Sequence, residues 1–162
     1  MLGFYKNFPT NVHKIMHLTA STSNKRLQLA TTQILHKLNG QTLSLEDIAY
    51  PSVPQCLVNF EFGIAEANNF NYLNREETDR TLKVIRKKPV QVMDFLCAIQ
   101  YYKIRTEKKI PLKFDYYMLR FIFGKESTEI QVYHERGPRH ISPSEIADFV
   151  INKIDEKLSK KV

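Results

Sequence analysis

The hydrophobic period of this chain first changes near residue 115, and that change does most to limit the folds open to it. Upstream, apolar residues recur at three- and four-residue spacings. Downstream, residues 115–123 and 128–134 are rich in β-branched and aromatic side chains and are joined by Gly124-Lys125-Glu126-Ser127, which predicts a β-hairpin. The expected fold is therefore mainly α: one compact helical domain over residues 1–162 with a single β-hairpin near the C-terminus. A length of 162 residues and 43% hydrophobic content suit one core.

Within the first two thirds, Asn7-Phe8-Pro9-Thr10 reads as a helix start, with Val12, Ile15, Met16 and Thr19 spaced for one buried face. Ser23 or Asn24 caps a second helix that buries Leu27, Ala30, Ile34, Leu35 and Leu38 and stops at Asn39-Gly40. Ser44 caps a short third one, and residues 55–68 read as helical. A polar loop with aromatic anchors follows over residues 68–74. Over residues 75–88, helical spacing puts Arg75, Arg80, Lys83, Arg86 and Lys87 on one side and Thr81, Leu82, Val84 and Ile85 on the other. Pro89 ends that helix, and residues 90–105, apolar almost all round, predict a central helix. After the hairpin comes a basic loop over residues 135–140. Ser142-Pro143 then opens a terminal helix with Ile146, Phe149, Val150 and Ile154 facing inward.

Net charge is informative once located. Of the formal +7, residues 75–120 supply +6, with 12 basic against 6 acidic side chains. Such a concentration suits a polyanionic partner, because bound Lys and Arg release counterions from phosphates; a solvated face kept for solubility is the plainer account. Cys56 and Cys97 lack the paired spacing and number that a four-cysteine metal site needs. No apolar run reaches the roughly 20 residues that cross a bilayer, and the N-terminus does not read as a secretion signal, so a cytoplasmic location with reduced thiols and no membrane contact is expected. There is no glycine-rich phosphate loop and no nucleophile elbow. Asp115 and Glu129 fall near opposite ends of the predicted hairpin, roughly 20 Å apart, too far to share metal ions as in a hairpin nuclease. His13 and His17 are four apart but lack a local acidic partner, so a metal site there is disfavoured against ordinary histidines.

The order of several short motifs resembles the opening of the iron–sulfur domain of the archaeal and eukaryotic primase large subunit. Phe8-Pro9 matches its opening pair, Arg26 the arginine of its basic turn, Leu29-Ala30-Thr31 the start of its next helix, and Leu43-Ser44-Leu45-Glu46-Asp47-Ile48 its serine-led segment. Thr10 stands where that family has a cluster cysteine and Ser23 where it has histidine. A cluster-free version of the domain is similar to the small accessory subunits of archaeal primases. The resemblance implies a noncatalytic subunit of a DNA primase, with no iron–sulfur cluster and no metal. It implies the primase large and catalytic subunits as partners, with a nucleoside triphosphate, or the 5′-triphosphate of an RNA primer on DNA, as ligand.

Three groups of residues are candidates for binding that ligand. Asn24, Lys25 and Arg26 sit at the expected start of the second helix, where unsatisfied amides favour an anion, although such residues are also ordinary for an exposed cap. Arg75, Arg80 and Lys83 form the basic stripe, with Tyr72 placed to stack on a base or ribose. Arg136 and Arg139, with His134 and His140, lie in the loop after the hairpin. A free-standing basic nucleic-acid-binding domain is the competing reading.

Overall fold

The computed structural model describes residues 1–50 and 53–159. Its centre is an antiparallel sheet of eight strands: β1 (Lys14–Leu18), β2 (Thr42–Ser44), β3 (Cys56–Glu66), β4 (Asn69–Tyr72), β5 (Val92–Arg105), β6 (Lys108–Pro111), β7 (Asp115–Phe123) and β8 (Thr128–Arg136). The main path runs β1-β8-β7-β5-β3-β2, with β4 paired to β3 and β6 to β5. Three helices, α1 (Asn24–Leu38), α2 (Arg75–Lys87) and α3 (Pro143–Ser159), lie on one face, α1 packing against both others.

This architecture overturns the expected mainly α domain with its primase-like helical opening. Residues 14–18, read as part of a first helix, form β1 and pair with β8. The stretch read as helical over residues 55–68 is largely β3, in which Cys56, Val58, Phe60, Phe62 and Ile64 alternate into the core. The supposed central helix is β5, where Met93, Phe95, Cys97, Ile99 and Tyr101 do the same. Its apolar appearance on every side has a physical cause. Leu96 and Ala98, on the face away from the helices, are also partly covered, so the middle of the strand, between Asp94 and Gln100, shows no polar side at helical or strand period. A two-residue turn, Thr106-Glu107, closes the β5–β6 hairpin with both residues at positive φ, +50° and +62°, the geometry of a type I′ turn without its usual Asn-Gly.

Other expectations hold. Ser23 caps α1, its hydroxyl accepting from the Arg26 amide, and Gly40 follows the helix at φ +79°. The hairpin of β7 and β8 forms within the large sheet. Ser142 and Glu145 open α3 with a reciprocal capping box at 2.9 and 3.1 Å.

The sheet has two ends. At one, Asn24 Nδ2 donates to the carbonyl of Gly124 in the β7–β8 turn, Phe123 bonds to Gln91, and Gln28 bonds in both directions to Val90. At the other lie the start of β7, the end of β8, the β5–β6 hairpin and Gly137. On the open face, residues 2–8 cross the sheet as a strap. The Gly3 amide bonds to Ala65, its carbonyl accepts from Asp94, and Arg120 lies between the rings of Phe4 and Phe8.

Candidate nucleic-acid interface

The Gly137 end is organised around Asp115, the first residue of β7, whose side chain is wholly buried. Its carboxylate accepts from the Tyr101 hydroxyl at 2.5 Å, His134 Nε2 at 2.8 Å, and the amides of Arg139 and His140 at 2.7 and 3.0 Å. Four donors satisfy the charge and leave no open position for a metal or a substrate. Burial, joined by the negative charge of Asp115, pushes the Tyr117 hydroxyl up; burial likewise raises Tyr101, beside the same carboxylate. The network is therefore a clasp. It ties the loop after β8 to the start of β7, and Gly137, at φ +113°, permits the approach: a Cβ there would collide with the Phe114 carbonyl and with Asp115. Arg139 is held at φ +60° by its amide bond to the clasp.

The consequence of the clasp is a fixed array of rings and cations on the open face. Tyr116 and Arg136 are register partners, and the Arg136 guanidinium lies 4.2 Å from the Tyr116 ring centroid. Phe114 stacks on the same tyrosine at 5.8 Å and 18°. On the neighbouring strands, Tyr133 stacks with His13 at 4.8 Å and 15°, and Lys109 stands 5.7 Å over Tyr102. Of the other cations at this end, Lys103, Arg105 and Lys108 project from the opposite side of the β5–β6 hairpin, the side of Tyr101, and Lys113 and Arg139 lie in the loops beside β7 and β8, against Glu107 and Glu135. Among the described residues none of those five cations forms an ion pair. Rings at successive strands with unpaired cations at the rim can stack bases and follow a phosphate chain.

His13 joins the two halves of this array. Its Nδ1 accepts the backbone amide of His134 at 2.9 Å, which requires an unprotonated Nδ1. Its pKa lies below the usual histidine range, because of burial first and then the positive charge of Arg139 and His134.

The candidates read from sequence separate in space. Arg136 and Arg139 belong to the array. Asn24, Lys25 and Arg26 lie at the opposite end of the sheet, where Arg26 donates to the Leu158 carbonyl at 3.3 Å and borders a hollow of about 320 Å³ with Thr19, Ser21, Thr22 and Asp155. Arg75 and Lys83 are exposed on α2. Arg80 is engaged by Glu66 and Glu77, whose hydrogen bonds raise its pKa, and is thereby withdrawn from phosphate binding. Tyr72, 49% exposed at the end of β4, is grouped with none of the rings of the array. Sequence reading missed Tyr102, Phe114, Tyr116 and Tyr133. Their alternation with buried residues on β5, β7 and β8 was the available signal.

Among the described residues no three His, Cys, Asp or Glu side chains gather as a metal group, and no helix is long and apolar enough to cross a membrane. No family model, no curated protein and no solved structure matches this chain.

Proposed function

We propose that this domain binds single-stranded nucleic acid, without catalysing a reaction of its own, at the Gly137 end of its sheet. The observation that carries the reading is the Phe114–Tyr116–Arg136 stack, flanked by Tyr102 and Tyr133 and held rigid by the Asp115 clasp. An unpaired strand offers free base faces to such rings, whereas in a duplex those faces are already stacked. The positive rim supplies affinity that falls with salt.

Fluorescence anisotropy with a labelled 12-nucleotide strand tests this. Tyr116→Ala and Arg136→Ala should each weaken binding about fivefold or more, the effect of removing a stacking interaction of roughly 1–3 kcal/mol. Unchanged affinity in both variants would refute it. Membership of a primase, with the large and catalytic subunits as partners, concerns ligands of the same chemical class; of the two helices expected in the opening that suggested it, the first is replaced by β1, paired to β8, and the second forms as α1. That wider role is tested by capture of primase subunits on the purified chain, together with loss of triphosphate binding in Arg26→Ala.

A further inference from the structure

We propose that the Gly124 end of the molecule is a second, separate nucleic-acid surface, one that holds the phosphate backbone of a duplex. Three segments meet there. The side chain of Gln28 donates to the Val90 carbonyl at 2.7 Å and accepts the Val90 amide at 3.0 Å, which fixes the end of α2 beside the start of α1. Asn24 donates to Gly124 at 3.0 Å, and Phe123 donates to Gln91 at 2.9 Å, which brings in the β7–β8 turn. Lys25, Arg86, Lys87, Lys88 and Lys125 are thereby gathered on one end, all of them exposed. Among the described residues none of the five forms an ion pair or stands over a ring.

Helix stability accounts for only part of this grouping. Arg86 and Lys87 occupy the last turn of α2, where positive side chains complement the helix dipole. Lys25 stands in the first turn of α1, which holds no acidic residue, so the dipole opposes it. Lys125 is in a turn and serves no helix. Cations from three segments, without the flanking rings of the other end, match a ligand that shows phosphates and hides its base faces: a duplex.

The two ends are separated by the length of β7, eight steps of about 3.3 Å or roughly 26 Å. One molecule can then hold a single strand at one end and a duplex at the other. That bridging rests on the function proposed above; duplex binding at the Gly124 end does not.

The experiment measures anisotropy of a labelled 16-base-pair duplex and a 12-nucleotide strand over 50–200 mM salt, with the intact chain. The combined Lys87→Ala, Lys88→Ala and Lys125→Ala variant is expected to lose tenfold or more in duplex affinity. Its salt dependence should fall by about 2–3 in log–log slope, close to 0.9 for each phosphate that is no longer neutralised. Its affinity for the single strand should stay within twofold, and its thermal melting should match that of the parent. Tyr116→Ala should show the reverse preference. Absence of duplex binding, duplex affinity unchanged in the triple variant, or equal losses for both ligands would overturn the proposal. If the single strand ignores Tyr116 and Arg136 while the duplex result holds, the reading of the Gly137 end falls and this one stands.

Discussion

Asp115 and His134 stand 2.8 Å apart, carboxylate oxygen to imidazole Nε2, one at the start of β7 and the other near the end of β8 beside the basic loop, and both face the core. An ionised carboxylate accepts only, which is what its four donors require. Asp115→Asn keeps the shape but replaces one acceptor oxygen with an amino group that faces donors. The expected loss is about 2–4 kcal/mol of unfolding free energy, from donors left unpaired in a dry site. Single-strand affinity should fall as well, although no ring or cation has been removed, because Arg136 and Arg139 lose their anchor. Urea unfolding and anisotropy on the same sample check both expectations.

Arg120 does comparable work at the strap. Its guanidinium bonds to Asp94 at 2.7 and 2.8 Å and to the Tyr5 carbonyl at 3.0 Å, and lies 5.2 and 4.4 Å from the ring centres of Phe4 and Phe8. Asp94 is wholly buried, so the pair is interior rather than a surface bridge. Arg120→Lys preserves charge but neither the bidentate geometry nor the flat stacking surface. We expect it to destabilise by about 2–3 kcal/mol and to raise amide exchange in residues 2–8, with no such change in α3. Full protection of the strap in that variant would contradict this account.

The parts of the fold legible in the sequence are those with one wet face. The helix α2 shows it most plainly, with Thr81, Leu82 and Ile85 buried opposite Arg75, Lys83 and Arg86. β7 and β8 alternate strictly enough to be recognised. β3 and β5 were obscured because Gly63, Ala65, Leu96 and Ala98, on the face away from the helices, are buried or partly covered. β1 was obscured because five residues are too few to separate a period of two from one of 3.6. The site shared that fate. Arg136 and Arg139 were visible as a basic loop, but Tyr102 and Tyr116, four residues apart in register, come to one surface only when β5 and β7 are adjacent strands. Long-range pairing of that kind has no local signature.

The capping box of α3 makes a prediction about acid stability. Burial raises the pKa of Glu145, but the amides of Ser142 and Tyr50 and the Ser142 hydroxyl outweigh it, and the carboxyl rests below its ordinary value. A depressed carboxyl contributes stability above its unfolded pKa of about 4.3 and loses it as pH falls through the folded value. Glu145→Gln should therefore cost about 1 kcal/mol near pH 7, the usual size of a cap. The difference from the parent should shrink below pH 4. Urea unfolding at pH 7, 5 and 3.5 measures this, and a constant difference across the series would show that charge plays no part.

Binding and stability should respond to His13 with opposite signs. In the free protein its pKa is depressed, by burial and by the positive charge of Arg139 and His134, so stability contributed by its neutral form is lost as pH falls below about 6.5. A phosphate held at the rim offsets the charge of Arg139 and raises that pKa, so a proton is taken up on binding and affinity increases as pH drops. Between pH 8 and 6 the gain should be about threefold. Other ionisable groups stand at this end, namely His134, His140, Arg136 and Glu135, with the His17–Glu129 pair four residues along β1 toward the Gly124 end, and the variant isolates the one residue. His13→Gln keeps an acceptor for the His134 amide and cannot be protonated. It should flatten both pH profiles while leaving affinity at pH 8 close to that of the parent. If the binding profile keeps its slope in His13→Gln, the proton is taken up elsewhere, and His13 serves only to stack on Tyr133 and hold the strand end.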